Sequence, residues 1–100
     1  MNVKNSILTL LGFAQKSNNI ISGEAAVKAV IVQGKINLLI LAEDLSENRK
    51  KHWRYLAEDS NVPCIDVGTK LQLGIAMGVS PRSVVGVTDE KMAKAIKAKM

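Results

Sequence analysis

Apolar positions along this 100-residue chain change their spacing several times, and each change marks an element. Val3, Ile7, Leu10, Leu11 and Ala14 recur at steps of three and four, which predicts an amphipathic helix over 3–16. Ser17-Asn18-Asn19 breaks it, and Ile20-Ile21 reads as a short edge strand. Ser22-Gly23-Glu24 then opens a second helix, with Ser22 as its small polar cap and Glu24 where the helix dipole favours an acid. Ala25, Ala26, Val27, Ala29, Val30 and Ile31 give that helix an apolar surface able to pack closely on a sheet, and Gly34 closes it. Leu38–Ala42 is an unbroken apolar run of strand length, the pattern of a central strand covered on both faces.

The second half continues the alternation. Ser46–Asp59 reads as a third helix, with Trp53, Leu56 and Ala57 inward and Glu47, Arg49, Lys50, Lys51 and Arg54 mostly outward. Pro63 biases Val62 away from helix, so 60–63 is a turn, and Cys64–Val67 is the next strand. Thr69–Met77 is a short helix, capped by Thr69 and closed by Gly78, followed by a loop over Val79–Ser83. Val84–Val87 is a further apolar strand, and Thr88 or Asp89 caps a last helix running to Met100. Helices alternating with short strands predict one α/β domain over 1–100, a three-layer α-β-α sandwich around a small central mixed sheet.

Composition narrows the class. With 47% hydrophobic residues the chain can bury a modest core, and no apolar run approaches the ~20 residues of a membrane span. Residues 1–16 lack a small-residue cleavage signature, so they read as the first helix and not as an export signal, and a cytoplasmic protein is expected. The single cysteine, Cys64, has no internal disulfide partner and reads as a small buried hydrophobe. Fourteen Lys and Arg against nine Asp and Glu give a net charge of +5, which favours an anionic partner, nucleic acid first. Lys91, Lys94, Lys97 and Lys99 account for part of the excess and read as a solvated helix face.

Motifs for catalysis are missing. Glu43-Asp44, at the end of a strand, is the most enzyme-like feature, but adjacent side chains on a strand point to opposite faces and do not jointly chelate. Loop and cap hydrogen bonds are the expected use of the pair. One Cys and one His give no metal-type spacing, and His52 reads as a solvated helix residue. Gly74-Ile75-Ala76-Met77-Gly78 lies in and after a helix, not before one as a phosphate loop requires. Neither an enzyme nor a cofactor is expected.

Three segments taken together suit a ligand better. Gly23-Glu24 at a helix start offers unpaired backbone N–H groups and close backbone approach. Lys70 adds a mobile cation, and Val79-Ser80-Pro81-Arg82 adds an apolar contact, a hydroxyl, a rigid turn and a guanidinium. Such a mixture fits RNA with an unstacked nucleotide. Phe13, Trp53 and Tyr55 are the three aromatic residues and none lies in these segments, so structured RNA read by shape fits better than stacked single strands.

Ile21-Ser22-Gly23-Glu24, Gly34-Lys35, Leu38–Ser46, Val62-Pro63, Lys70 with Leu73-Gly74, and Gly78-Val79-Ser80 carry a family resemblance. Over nearly its whole length the chain resembles the kink-turn RNA-binding ribosomal protein superfamily, and within it the small bacterial YlxQ-like ribosomal proteins. The resemblance implies an α-β-α sandwich that recognises sharply bent RNA with the tip of the second helix and two neighbouring loops. It implies that Gly23 is the glycine at that tip, that Lys70 is the basic residue before the short helix, and that Val79-Ser80 covers a flipped-out nucleotide. Pro81-Arg82 stands in reversed order from the arginine–proline often found there, and Ser46 lies where some members carry a carboxylate against the flipped base. The Asn, Glu and Lys that read the kink in RNA-binding members fall on Ala25, Ala26 and Ala29, while Lys28 is one residue short, about 100° around the helix. Glu24 is the remaining group able to accept from a guanine amino group. Each missing base-edge contact removes roughly 1–3 kcal/mol, by analogy with bidentate base readout.

The leading expectation is therefore a non-catalytic, monomeric RNA-binding protein, ribosomal or ribosome-associated. Its expected contact residues are Gly23, Glu24, Lys28, Lys70, Val79, Ser80, Pro81 and Arg82, with ribosomal or translation proteins as further partners. The alternative is a protein-interaction adaptor in which the alanine-rich Gly23–Ile31 segment has exchanged RNA contacts for a protein surface.

Overall fold

A computed structural model describes residues 2–100. Its elements follow the order α1 (Val3–Lys16), β1 (Ile20–Ser22), α2 (Glu24–Ile31), β2 (Leu38–Leu41), α3 (Glu47–Asp59), β3 (Cys64–Asp66), α4 (Lys70–Met77), β4 (Val84–Val87) and α5 (Glu90–Lys97). The four strands form one mixed sheet in the order β1-β4-β2-β3, antiparallel except for the β2–β3 pair. β2 and β4 are its buried centre, and the register Leu39↔Gly86 and Ile40↔Val85 places their apolar runs side by side.

Strand alternation divides the core in two. Leu38, Ile40, Ala42, Val85 and Val87 face α1, α4 and α5, packing with Ile7, Leu11, Leu73 and Ile96. Leu39, Leu41 and Val84 face α2 and α3, packing with Val27, Ile31, Trp53 and Ala57. The α-β-α layering expected from the alternation of elements is present. Gly86 sits mid-strand because Ile36 lies across it: a Cβ there would fall 2.6 Å from Ile36 Cδ1.

Caps follow the expected chemistry with one exception. Thr69 and Gln72 form a reciprocal capping box at the start of α4, Gly78 closes that helix in the left-handed conformation, and Asp89 caps α5. At α2 the cap is Gly23, not Ser22. Ser22 is paired with Val85 as the last residue of β1, and its hydroxyl accepts from Arg82 instead. The helix also stops at Ile31, three residues before Gly34, which sits in the following turn with its N–H donating to the Ile31 carbonyl at 3.3 Å.

Several side chains depart from the expected pattern: Ala25, Ala26 and Ala29, expected to pack on the sheet, are exposed, and α2 is buried through Val27 and Ile31. Val3 begins α1 but is 53% exposed, since the helix start overhangs the core. Lys50, expected outward, is buried: its ammonium lies 3.6 Å from Asp66 and 3.7 Å from Glu47, and Arg54 meets the same Asp66 oxygen at 2.6 Å. A lysine stem packs along apolar surface when its charged end finds carboxylates. Asp66 arrives from β3, which nothing in the local charge pattern of α3 announces.

Candidate nucleic-acid interface

β1 ends at Ser22, and Gly23 turns the chain directly into α2 with φ 97° and ψ 144°. A side chain is strained at that φ, so glycine is the residue that permits the turn. Its N–H donates to the Val84 carbonyl at 2.9 Å, tying the turn to the start of β4. No side chain caps α2, which leaves N–H groups of its first turn for an outside acceptor.

The other wall is the loop before β4. Gly74, inside α4, seats it: a Cβ at Gly74 would meet the Ser80 carbonyl oxygen at 2.6 Å and Pro81 Cα at 2.9 Å. The Val79 N–H donates to the Gly74 carbonyl at 2.9 Å and the Arg82 N–H to the Lys70 carbonyl at 3.1 Å. Backbone atoms of α4 thus hold the loop at both ends. Within it, Arg82 Nε donates to Ser22 Oγ at 3.1 Å and Nη1 to the Ser80 carbonyl at 3.1 Å. The guanidinium is fixed across the gap between β1 and the loop, and Gly23 and Arg82 end up side by side. Together with Ala25, Ala26 and Pro81 they line one open concavity.

Lys70 begins α4 beside this concavity. Its N–H donates to Asp44 Oδ1 at 2.9 Å, so the most enzyme-like carboxylate of the chain is a second cap on α4, and Glu43 next to it is exposed. The Lys70 side chain is exposed.

Glu24 differs most from the expectation of a base-reading group. One carboxylate oxygen accepts from the Trp53 indole N–H at 3.0 Å and from Arg49 Nε at 2.9 Å, with Arg49 Nη2 also in contact. Partial burial pushes its carboxyl upward, but the Trp53 N–H, the Arg49 guanidinium and the Lys70 charge outweigh that and hold it below its ordinary value. The group is ionised and committed to α3. Its partners lie 25 and 29 residues downstream, beyond any local pattern.

Of the remaining expected contacts, Ser80 and Pro81 are exposed, whereas Val79 is half-buried and packs on the core below. Lys28 is exposed one turn further along α2 and does not line the concavity. Cys64 is half-buried under α3; burial, then the nearby Asp66 carboxylate, push its thiol up to about 11, so it stays protonated at neutral pH. No part in the site is expected for Gly74 from the sequence, where it figures as a rejected phosphate-loop glycine and in the family resemblance, although a glycine inside a helix costs about 1 kcal/mol against alanine and so signals a packing reason.

Residues 5–97 match the family described as ribosomal protein L7Ae/L30e/S12e/Gadd45. The chain is similar to the RNA-binding protein YlxQ of Enterococcus faecium, 31% identical over 90 residues, covering 90% of this chain and 86% of that protein. It is similar to the RNA-binding protein YlxQ of Bacillus subtilis (strain 168), 34% identical over 84 residues and 84% of each chain. Among solved structures, a Bacillus halodurans protein of unknown function superposes with a TM-score of 0.88 at 30% identity, covering 93% of this chain and 94% of that one. The Giardia lamblia 15.5kD RNA binding protein shares the fold with a TM-score of 0.77 at 23% identity, over 98% of this chain and 90% of that one.

Proposed function

The chain belongs to the ribosomal protein L7Ae/L30e/S12e/Gadd45 family, and on that premise we propose that it is a non-catalytic RNA-binding protein of the cytoplasm, acting as a monomer on or near the ribosome. Its ligand is kinked, structured RNA, held in the concavity between the α2 tip and the Val79–Arg82 loop. The observation that carries this reading is the placement of Gly23 and Arg82 side by side, with uncapped N–H groups on one wall and a fixed guanidinium on the other. The two YlxQ relatives, named as RNA-binding proteins, support RNA as the anion.

In this reading the N–H groups of the α2 tip, Lys70 and Arg82 hold phosphates of the bent backbone, as a helix N-terminus and charge-assisted donors do elsewhere. The exposed Pro81 ring, with the open edge of Val79, covers an extruded base. Base-edge readout is weak, because Ala25 and Ala26 carry no polar atoms beyond the backbone and the Glu24 carboxylate is engaged by α3. The protein then selects RNA by bend and phosphate placement. Ribosomal RNA, with ribosomal or translation proteins alongside it, is the proposed setting.

Electrophoretic titration of a kink-turn RNA against a straight duplex of equal length tests this. The kinked RNA is expected to bind at least about tenfold more tightly, and Arg82→Ala to cost about tenfold on the kinked RNA alone. Equal, micromolar-or-weaker binding to both, insensitive to Arg82, overturns it.

A further inference from the structure

The Arg82 guanidinium donates through three nitrogens, and the fold engages two of them. Nε donates to Ser22 Oγ at 3.1 Å, while Nη1 donates to the Ser80 carbonyl at 3.1 Å and to the Ser80 hydroxyl. Nη2 meets no acceptor among the described residues. The two serines hold the group in different ways. Ser80 is exposed and belongs to the same loop as Arg82, so the two move together. Ser22 is the last residue of β1: its backbone pairs with Val85, and the Gly23 N–H beside it donates to the Val84 carbonyl at 2.9 Å. Ser22 alone ties this side chain to the sheet.

That arrangement limits what Arg82 is able to read. A guanidinium recognises a guanine edge with two parallel N–H bonds, one from Nη2 and the other from Nε or Nη1. Ser22 occupies the Nε side and Ser80 the Nη1 side, so neither pair is complete. One nitrogen in a fixed plane remains, which suits a phosphate oxygen of defined position. Without the Ser22 hydroxyl the charge of the loop would be unchanged, but the Nε side would open and the side chain would swing with its loop. Direction depends on the hydroxyl, and attraction does not.

We propose that Ser22 is the positioning residue of Arg82 and sets the selectivity for bent RNA. Its hydroxyl, carried by a paired strand that lines the concavity, aims Nη2 at one phosphate and keeps the Nε edge from bases. This role rests on the kinked-RNA reading above and adds that discrimination lies in a neutral side chain, not in the number of cations. A straight duplex, attracted by charge alone, is indifferent to it.

Ser22→Ala and Ser22→Thr in the full chain test it, since threonine keeps the hydroxyl and suits a strand. In the RNA-free protein the Arg82 Nε–H resonance, assigned by its loss in Arg82→Lys, should be sharp in wild type and Ser22→Thr. Exchange with water should broaden it in Ser22→Ala. Electrophoretic titration should show Ser22→Ala losing about fivefold on a kink-turn RNA, nothing on a straight duplex, and recovery in Ser22→Thr. The slope of log affinity against log salt should stay at the wild-type value in Ser22→Ala, whereas Arg82→Ala lowers it by about one. Added to Arg82→Ala, the Ser22→Ala change should alter kinked-RNA affinity by less than about twofold. An equal loss in both backgrounds, an equal loss on both RNAs, or an Nε–H signal indifferent to Ser22→Ala overturns the proposal. Failure of the kinked-RNA reading looks different: the unsubstituted chain then binds both RNAs equally, and the role of Ser22 falls with it.

Discussion

At the α2 tip the chain withholds side chains: Gly23 has none, Ala25 and Ala26 end at Cβ, and the Glu24 carboxylate is taken up by Arg49 and Trp53. Across the concavity the loop does the reverse, presenting the Pro81 ring and the Arg82 guanidinium while α4 holds its backbone. One wall offers main-chain donors, which treat every phosphate alike, and the other offers side chains whose position is set by neighbours. The contrast extends to the glycines that build each wall. Gly74 is required by space, because backbone atoms of Ser80 and Pro81 occupy the place of a Cβ. Gly23 is required by its dihedral angle, because its nearest obstacle, Arg82 Cδ, lies a comfortable 4.0 Å away.

That difference can be broken at either wall. Gly74→Val forces the loop off α4 and is expected to cost about 3 kcal/mol in chemical denaturation, with kinked-RNA affinity lost as Arg82 leaves its seat. Gly23→Ala meets no atom, so only the strained φ counts, and the expected cost is about 2 kcal/mol. Amide shifts tell the two apart: in Gly74→Val they should spread through 79–82, whereas in Gly23→Ala they should stay at the β1–α2 turn. Lys70→Gln tests the charge alone. Stability should change by under about 0.5 kcal/mol, while the slope of log affinity against log salt should fall by about one.

Glu24→Gln is the most selective change. The Glu24 carboxyl is held below its ordinary 4.5 in the folded chain, so its ionised form stabilises the fold above that pH and the benefit fades as pH falls through the lowered value. A third of the side chain is exposed, so the gap between wild type and Glu24→Gln should be under about 1 kcal/mol at pH 7. It should narrow below pH 4.5. A gap independent of pH would mean that shape, and not charge, holds Glu24 to α3.

How much of this was legible follows from the range over which each interaction acts. β2 and β4 announce themselves because a central strand needs apolar residues on both faces, and Leu38–Leu41 and Val84–Val87 supply them. The Thr69–Gln72 box and Gly78 are equally local. The candidate concavity was legible as a set of segments, and Gly23 does meet Pro81 and Arg82. Its electrostatics were not. Glu24 and Lys50 each have partners on another element: Arg49 and Trp53 take up the carboxylate expected to accept from a base, and Asp66 draws in the lysine expected outward. Ser22 looked like a cap because serine caps helices, yet strand pairing with β4 claimed it first.

Trp53 is the single tryptophan of the chain, and its indole N–H is bonded to the residue that follows Gly23. Its ultraviolet emission therefore reports on the α2 tip without any attached dye. A guest that tugs on Glu24 would change the colour or brightness of that light, and one that settles elsewhere on the molecule would leave it untouched.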